Sequence, residues 1–541
     1  MDSYYLGVDV GTGSVRVGVF NANGKLLYSN SKDIKINNPS PGYYEQSSED
    51  IWSGVVQLIK EVVTSRIVEK ERIRGIAFCA TCSLVAVGPS NGVEKISISE
   101  NGDEEWNIIM WLDHRAGDEA NFINEKGHRV LDFVGGKISL EMQTPKILWL
   151  KRHLPQSYER TDQFFDLPDY LRWRATGSLK RSICSVVCKW TAVNTPKDGC
   201  AWDSTFFKSV GLEDALLKIG SNFSYPGDCD PLGAEAAKEM GLEGIDVNVG
   251  YSQIDAHSGV LGMMGCTVVG EERNELDVTK RLALICGTSN CHMALSREAC
   301  LVPGVWGPYY GVILPDFNLN EGGQSAAGKL LDHIVSCHPA YSRMMKEYKN
   351  HGKVLVGLES FLTLGESKAT TELTKELHIY PDFHGNRSPL ADPTLKGMMS
   401  GLTLSDSEED LAILYLATIQ ALAYGSLHIM RELEKNGHTF DSVVICGGLT
   451  KSRLFLQSHA DILQLPVLVP HCAEPVLLGA AISAAAATPS KTLDLTRVVS
   501  MSGGAELISP NRNVFAYHEK KFAVFLEMYK DQTKYRELMK I

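Results

Sequence analysis

The chain has no basic charge to spare. Its 541 residues carry 65 acidic side chains against 53 basic ones, a net charge of −12. No stripe of Lys or Arg interleaved with aromatics appears, which excludes nucleic acid as the expected partner. No apolar run approaches the length of a membrane span, and no low-complexity tract is present. The first strand begins within five residues, leaving no space for a leader, so a cytoplasmic protein is expected. A disulfide framework is missing too: 13 cysteines, an odd number spread over a long chain, suit reduced thiols. Cys79-x-x-Cys82 lacks the second pair that a zinc site requires. With 44% hydrophobic and 22% charged residues, the composition fits about two to four globular domains.

What the chain does have is a glycine turn between alternating apolar strands, twice. In Leu6 to Phe20, Leu6, Val8 and Val10 alternate before the turn and Val15, Val17 and Val19 after it, the period of a β-hairpin. Gly11 and Gly13 let backbone amides approach an anion, Thr12 and Ser14 add hydroxyl donors, and Asp9 is placed to hold a hydrated Mg²⁺ bridging phosphates. An ordinary glycine hairpin opening a sheet has the same local pattern. A dinucleotide fingerprint does not: Arg16 stands where its third glycine belongs, and a strand follows where it needs a helix. Residues Leu282 to Leu295 repeat strand, Gly287-Thr288-Ser289 turn and strand. Aligning Gly287 on Gly11 sets Ile285 opposite Asp9, so the copies are alike without being equivalent. Their spacing of about half the chain implies duplicated domains facing each other across a cleft.

Other segments order themselves around these turns. Ser47 to Asp50 reads as the cap of a helix to about Arg66, with Ile51, Trp52, Val55, Ile59 and Val62 on one face. Arg74 to Phe78 reads as a strand delivering the polar run Cys79 to Ser83, residues 94–105 as a solvated loop, Ile108 to Arg115 as a strand ending in charge, and residues 270–280 as a surface insertion. Asp441 to Gly448 is a buried strand ending in two glycines, followed by a helix over Arg453–Leu463 and a strand at Val467–Val469. That order places a nucleotide near the helix N-terminus. Glu474 to Ala487 reads as a tightly packed helix of small residues, and the chain from about Tyr517 as a surface helix. Gly323 to Lys329 matches seven places of a P-loop, but Leu330 lacks the hydroxyl of the eighth and no clear apolar strand is read before it, so no P-loop is assigned.

Six further motifs are Ala80-Thr-Cys-Ser83, Trp111-Leu-Asp-His-Arg-Ala116, Cys188-Lys-Trp190, Asp255-Ala-His257, Glu321-Gly-Gly-Gln-Ser325 and Asp382-Phe-His-Gly-Asn-Arg-Ser-Pro389. With them the chain resembles, over nearly its full length, the FGGY family of carbohydrate kinases within the actin-like ATPase superfold, in particular its pentulose-kinase branch and D-ribulokinase group. The resemblance implies two actin-like, ribonuclease H-like α/β domains. Residues 1–265 would bind sugar and phosphate, and residues 266–541 nucleotide. It further implies ATP and Mg²⁺ in the cleft and transfer of phosphate to a sugar hydroxyl.

By that resemblance Asp255 is the general base, since phosphoryl transfer needs one group to take the hydroxyl proton; its local pattern equally fits a helix N-cap. Ser83, Trp111, Asp113, Lys189, His257 and Glu321 join Asp255 around the sugar. Core packing for Trp111 and structural ion pairs for Lys189 and Arg115 stay open as alternatives. Gly11, Thr12, Gly13, Ser14, Gly287 and Thr288 fall to the phosphates, Gln324 and Gly328 to the cleft near the nucleotide, and Gly447, Gly448 and Lys451 to the adenosine end. Asp9 falls to Mg²⁺ through water. Asn386 and Arg387 brace the ATP side or their own loop. The expected acceptor is the 5-hydroxyl of D-ribulose; L-ribulose, ribitol or another polyol are rivals of the same class, and a chaperone-like switch ATPase a rival of another. Small molecules are the expected partners, and the chain is a monomer or homodimer. Three departures from the family pattern are Cys79 where Asp is frequent, Gln143 in place of a small residue ahead of Lys146-Ile-Leu-Trp149, and wide spacing between Gly397 and Gln420.

Overall fold

The computed structural model describes residues 3–89, 94–268, 276–363, 368–487 and 493–540. The expected insertion at 270–280 lies mostly outside them. Two seven-stranded mixed sheets organise the chain. The first contains β1 (Tyr4–Val10), β2 (Ser14–Asn21), β3 (Leu26–Asp33), β4 (Ile73–Ala80), β5 (Asp230–Pro231), β6 (Asn248–Val249) and β7 (Gln253–Ile254), in the order β5-β6-β4-β1-β2-β3 with β7 also on β4. The second contains β8 (Arg281–Cys286), β9 (Asn290–Ser296), β10 (Trp306–Tyr310), β11 (Asn318–Gln324), β12 (Ser442–Cys446), β13 (Val467–Pro470) and β14 (Ala505–Ile508), in the order β10-β11-β9-β8-β12-β13-β14. Each sheet is built around a hairpin, β1–β2 or β8–β9, that continues antiparallel into β3 or β11 and pairs in parallel with β4 or β12 on its other side. The two glycine turns are therefore equivalent places in duplicated sheets. Val10 faces Val15 in the first, and Cys286 faces Asn290 in the second.

Helix α1 (Ser48–Thr64) starts at the expected cap, with Ser47 Oγ accepting from the Asp50 amide at 3.4 Å. Its apolar stripe, Ile51, Trp52, Val55 and Ile59, covers Leu6, Val8, Val10, Val15 and Val17 on one face of the first sheet. The elements that build the cleft are α2 (Gln143–His153), α3 (Ile183–Trp190), α4 (Asp255–Met263), α5 (Gly328–Cys337), α6 (Glu408–Lys435), α7 (Arg453–Leu463), α8 (Pro475–Ala486) and α9 (Phe515–Leu538).

The halves exchange helices. α4 leaves the first sheet at Ile254 and packs on β8 and β12 of the second, whereas α8, made late in the chain, lies on β1 and β4 of the first. The two helices meet backbone to backbone through glycine: a Cβ on Gly479 would stand 1.8 Å from the Ser258 carbonyl oxygen, and one on Gly262 1.9 Å from that of Pro475. Gly479→Ala is thus expected to destabilise. Helix propensity favours the alanine by about 1 kcal/mol, but overpacking against an immovable backbone costs about 3 kcal/mol or more. Urea denaturation should show the net loss of about 2 kcal/mol.

Several readings of the sequence change in three dimensions. α6 is long and apolar enough to cross a membrane by length and composition, contrary to the expectation, yet 83% of its most apolar window is buried inside the protein; it is a core helix. The acidic stretch 94–105 carries Ile96 and Ile98 into the core, so it is only partly a solvated loop. Only Ile108–Ile109 of the expected strand to Arg115 pairs in a sheet. A strand, β11, does precede the P-loop look-alike, but Gly323 belongs to that strand, opposite Cys291, and Leu330 is buried. α9 is less superficial than expected, burying His518, Lys521, Phe525 and Met528.

Candidate functional site

Between the sheets opens a cleft of about 630 Å³. Of the residues expected from the sequence, Thr12, Trp111, Lys189, Asp255, Gly287, Thr288, Glu321, Gly447, Gly448 and Lys451 line it. The two hairpin turns and the β12 glycine turn so converge on one space from opposite walls. Gly447 is required by geometry: its φ is +101°, and a Cβ there would lie 2.3 Å from the Cys286 carbonyl oxygen. Gly448 has open space instead, leaving that wall flat.

Asp255 is the first residue of α4, after the N-cap Ile254, so it is not the cap that its pattern allowed. Its carboxylate accepts from the Ala256 amide at 2.7 Å and faces the cleft. Burial pushes its pKa up to about 6, with the charge of Asp9 adding to the rise. Asp9 itself is fully buried on β1. Burial raises its pKa as well, partly offset by Arg16. Arg16 bonds the Asp9 carboxylate and, at 2.8 Å, that of Glu474 from the other half; both Arg16 and Glu474 line the cleft. Cys79 faces Asp9 across the β1–β4 ladder, and its thiol donates to Asp9 Oδ1 at 3.7 Å. A thiol there adds no charge beside a buried carboxylate, which is the physical meaning of that departure from the family pattern. Among the described residues no three His, Cys, Asp or Glu side chains come together as a metal cage. Asp255 in the lining fits a cation that arrives with its own oxygen ligands and is reached through water, whereas Asp9, expected to hold it, lies behind Arg16 and outside the lining.

The opposite wall is ionic. Lys189, in the last turn of α3, donates to both Glu321 oxygens on β11 at 2.9 and 3.0 Å, and its ammonium lies 4.2 Å from the Trp306 ring centroid. Both side chains of this pair are 5% exposed. Burial opposes both charges, but each outweighs it for the other: Lys189 is held above its ordinary range and Glu321 well below it. His257 Nε2 stands 3.3 Å from Glu321. Burial would lower its pKa, but Cys184 and Glu321 beside it push it up to about 9. His257 is completely buried behind Glu321 and does not line the cleft. Trp111 donates its indole N–H to Thr12 Oγ1 at 3.1 Å, joining sugar wall to phosphate turn, and Lys146 holds the Met110 and Trp111 carbonyls at 2.9 and 3.3 Å.

Other expected residues are placed elsewhere. Asp113 is fully buried and saturated: Arg115 grips it at 2.8 to 3.0 Å, and the Tyr44 amide donates to it at 2.6 Å. The structural ion pair therefore describes Asp113 and Arg115, and no acceptor of Asp113 is turned to the cleft. Ser83 is buried too, accepting from the Trp111 amide at 3.2 Å. Gln324 binds Asn290 and the Leu422 carbonyl at 3.0 and 2.9 Å, a brace for β9 away from the lining. Gly328 packs on Gly287, where a Cβ would meet the carbonyl oxygen at 2.8 Å; it supports the turn from behind. Gly11, Gly13 and Ser14 form the body of the first turn, with the Gly11 amide donating to the Ser14 carbonyl at 3.0 Å. Gln143 donates to the Cys82 carbonyl at 2.9 Å and to Asp166 at 3.2 Å, a role that a small residue could not fill.

Arg16, Glu141, Trp306, Arg387 and Glu474 also line the cleft. Arg16 had been visible only as a missing glycine, and Trp306 was not singled out in the sequence. Arg387 extends from the 382–389 loop to Glu141 at 3.1 Å. Asn386 holds that loop, donating to Asp382 at 2.8 Å and accepting from the Leu390 amide at 2.9 Å.

Comparison with known proteins matches residues 4–262 to the N-terminal domain of the FGGY family of carbohydrate kinases and residues 282–488 to its C-terminal domain. An FGGY carbohydrate kinase domain-containing protein of Xenopus laevis is 45% identical, the match covering 99% of this chain and 98% of that protein. A D-ribulokinase of Saccharomyces cerevisiae is 36% identical over 91% of this chain and 73% of its own length. Among solved structures, a ligand-bound xylulose kinase from Lactobacillus acidophilus superposes with a TM-score of 0.77 at 19% identity, covering 98% of both chains. The likeness identifies the two-sheet architecture as the actin-like, ribonuclease H-like ATPase fold.

Proposed function

Because the chain belongs to the FGGY family of carbohydrate kinases, we propose that it transfers the γ-phosphoryl group of ATP to the 5-hydroxyl of D-ribulose, giving D-ribulose 5-phosphate and ADP. ATP-dependent phosphorylation of a carbohydrate follows from membership; the ketopentose is our reading, supported by the D-ribulokinase relative. The observation that carries the mechanism is Asp255. It lines the cleft shared by the phosphate turns and the Lys189–Glu321 wall, with a pKa of about 6, so it is ionised at neutral pH yet close enough to neutrality to accept a proton.

In this mechanism the Asp255 carboxylate accepts the 5-hydroxyl proton as the hydroxyl oxygen bonds to the γ-phosphorus, and the bond from phosphorus to the bridging oxygen breaks with its electrons leaving on ADP. Trp111 and Trp306 give the sugar an apolar face, and the Lys189–Glu321 pair offers donors and acceptors to its hydroxyls. The turns at Thr12 and Thr288 hold phosphates, and Gly447, Gly448 and Lys451 the adenosine end. Arg16, fixed between Asp9 and Glu474, supplies positive charge beside the transferring group. Mg²⁺ enters with ATP as part of the substrate, and Asp9, behind Arg16, would hold it through water. Closure of the halves, divided near residue 265, keeps out the water that competes for the phosphoryl group.

ADP release with Mg-ATP, measured across D-ribulose, L-ribulose, both xyluloses, ribitol, glycerol and no sugar, tests this. D-Ribulose is expected to lead the others about tenfold or more in kcat/KM, the discrimination that one misplaced hydroxyl costs. Preference for another acceptor would replace the ketopentose. Hydrolysis indifferent to every sugar would favour a switch ATPase.

A further inference from the structure

The cations facing the cleft do not face it freely. Arg16 is bonded to Asp9 and Glu474, Lys189 to both oxygens of Glu321, and Arg387 to Glu141. Among the described residues of the lining, Lys451, at the adenosine end, is the one cation without an ion-pair partner. An uncharged acceptor can bond to the outer lone pairs and N–H groups of such pairs at little cost. A carboxylated sugar would have to give up its hydration with no free cation to replace it.

One pair sets this balance without holding the fold. Glu321 is tied to both Lys189 and His257, but among the described residues Glu141 has Arg387 as its single ion-pair partner, and its side chain is 16% exposed. Arg387 has a second means of support. Its guanidinium carbon lies 6.0 Å from the Trp111 ring centroid and 5.8 Å from that of Trp306, and the cation–π attraction of two indoles favours a guanidinium there whether or not a carboxylate is present. Removing the Glu141 charge would therefore leave Arg387 buried with the Glu321 charge nearby but already engaged by Lys189 and His257, short of an anion of its own.

We propose that Glu141 is a specificity-determining residue: by neutralising Arg387 beside the two tryptophans it restricts the acceptor to uncharged sugars, and its loss opens the site to sugar acids. This rests on the reading that the Trp111–Trp306 wall receives the acceptor. The test compares full-length wild type, Glu141→Gln and Glu141→Gln/Arg387→Gln, with D-ribonate as the carboxylated counterpart of D-ribulose. Inhibition of D-ribulose phosphorylation is measured alongside direct titration calorimetry of D-ribonate. In wild type D-ribonate is expected to bind about 100-fold more weakly than D-ribulose; Glu141→Gln should tighten D-ribonate about tenfold or more, and the double variant should lose that gain. Because the single variant is read as a gain in binding, misfolding cannot imitate it. D-Ribonate accepted by wild type as readily as D-ribulose would overturn the proposal, and so would no gain in folded Glu141→Gln. If the preferred neutral acceptor is instead ribitol or L-ribulose, the ketopentose reading fails while the charge test proceeds with that sugar as competitor. If D-ribonate gains affinity without displacing any neutral acceptor, the placement of the sugar fails.

Discussion

Asp255→Asn should lower kcat by about 1,000-fold, the range removed with a general base, and should do so while making the protein more stable. The second half of that expectation separates the base from a merely structural carboxylate. A lost helix cap would cost about 1 kcal/mol. Asp255 has instead been raised to about 6 by burial and by Asp9, so its ionised form is the strained one. For a carboxyl whose folded pKa lies above the unfolded value, the stabilising contribution is complete below the unfolded pKa of 3.8 and is lost as pH rises through about 6. At pH 7.5 the neutral asparagine avoids that penalty, and the melting temperature should rise by the equivalent of about 3 kcal/mol. Wild-type kcat/KM should fall tenfold per pH unit below about 6, and the residual rate of the variant should lack that limb. A variant that phosphorylates sugar at the normal rate would remove Asp255 from the mechanism.

Lys189→Met should produce the largest loss of stability, about 3 kcal/mol, because it leaves a buried carboxylate with His257 as its remaining partner charge. Glu321 is held below its ordinary range, once burial is overcome, by Lys189 and then by His257. Its stabilising contribution is present above the unfolded pKa of 4.5 and disappears as pH falls through the depressed folded value. Lys189→Met should therefore unfold at lower urea concentration at pH 7, with the difference from wild type shrinking in acid as Glu321 protonates. Lys189→Met/Glu321→Gln should recover most of the loss, since an uncharged pair of similar volume leaves no stranded charge. Sugar KM should rise in both variants and ATP KM should change little. Equal rises in both would mean that the pair serves closure of the halves alone.

The local parts of the site were legible in the sequence. A period of two around a glycine turn predicts β1–β2 and β8–β9, and a strand running into Gly447-Gly448 before a helix predicts β12 and α7, because turn chemistry and periodicity act over a few residues. Partners far apart in sequence were not legible. Lys189 meets Glu321 across 132 positions and Arg387 meets Glu141 across 246, separations on which no spacing rule operates. Strand-end polar residues were the hardest, since their direction is decided by neighbours: Asp113 turns into the core because Arg115, two residues on, follows it there. Gln324, inside a family-like motif, is spent on Asn290 and Leu422. The apolarity of α6 was equally ambiguous, since burial beneath other helices and burial in lipid select the same side chains.

The exchange of helices between the halves also sets the order in which this chain can mature on the ribosome. β1 is made well before the helix that covers it, Pro475–Ala486. Gly7 waits for the Leu477 backbone, against which even a methyl group would stand 2.1 Å from the carbonyl oxygen. Until that helix is made, one face of the first sheet therefore has no cover of its own, and its apolar residues are open to chaperones or to other nascent chains. A chain stopped before residue 475 would not yield a smaller kinase domain but a sheet with a bare glycine-lined groove, so early truncation should produce aggregated protein rather than a stable sugar-binding half.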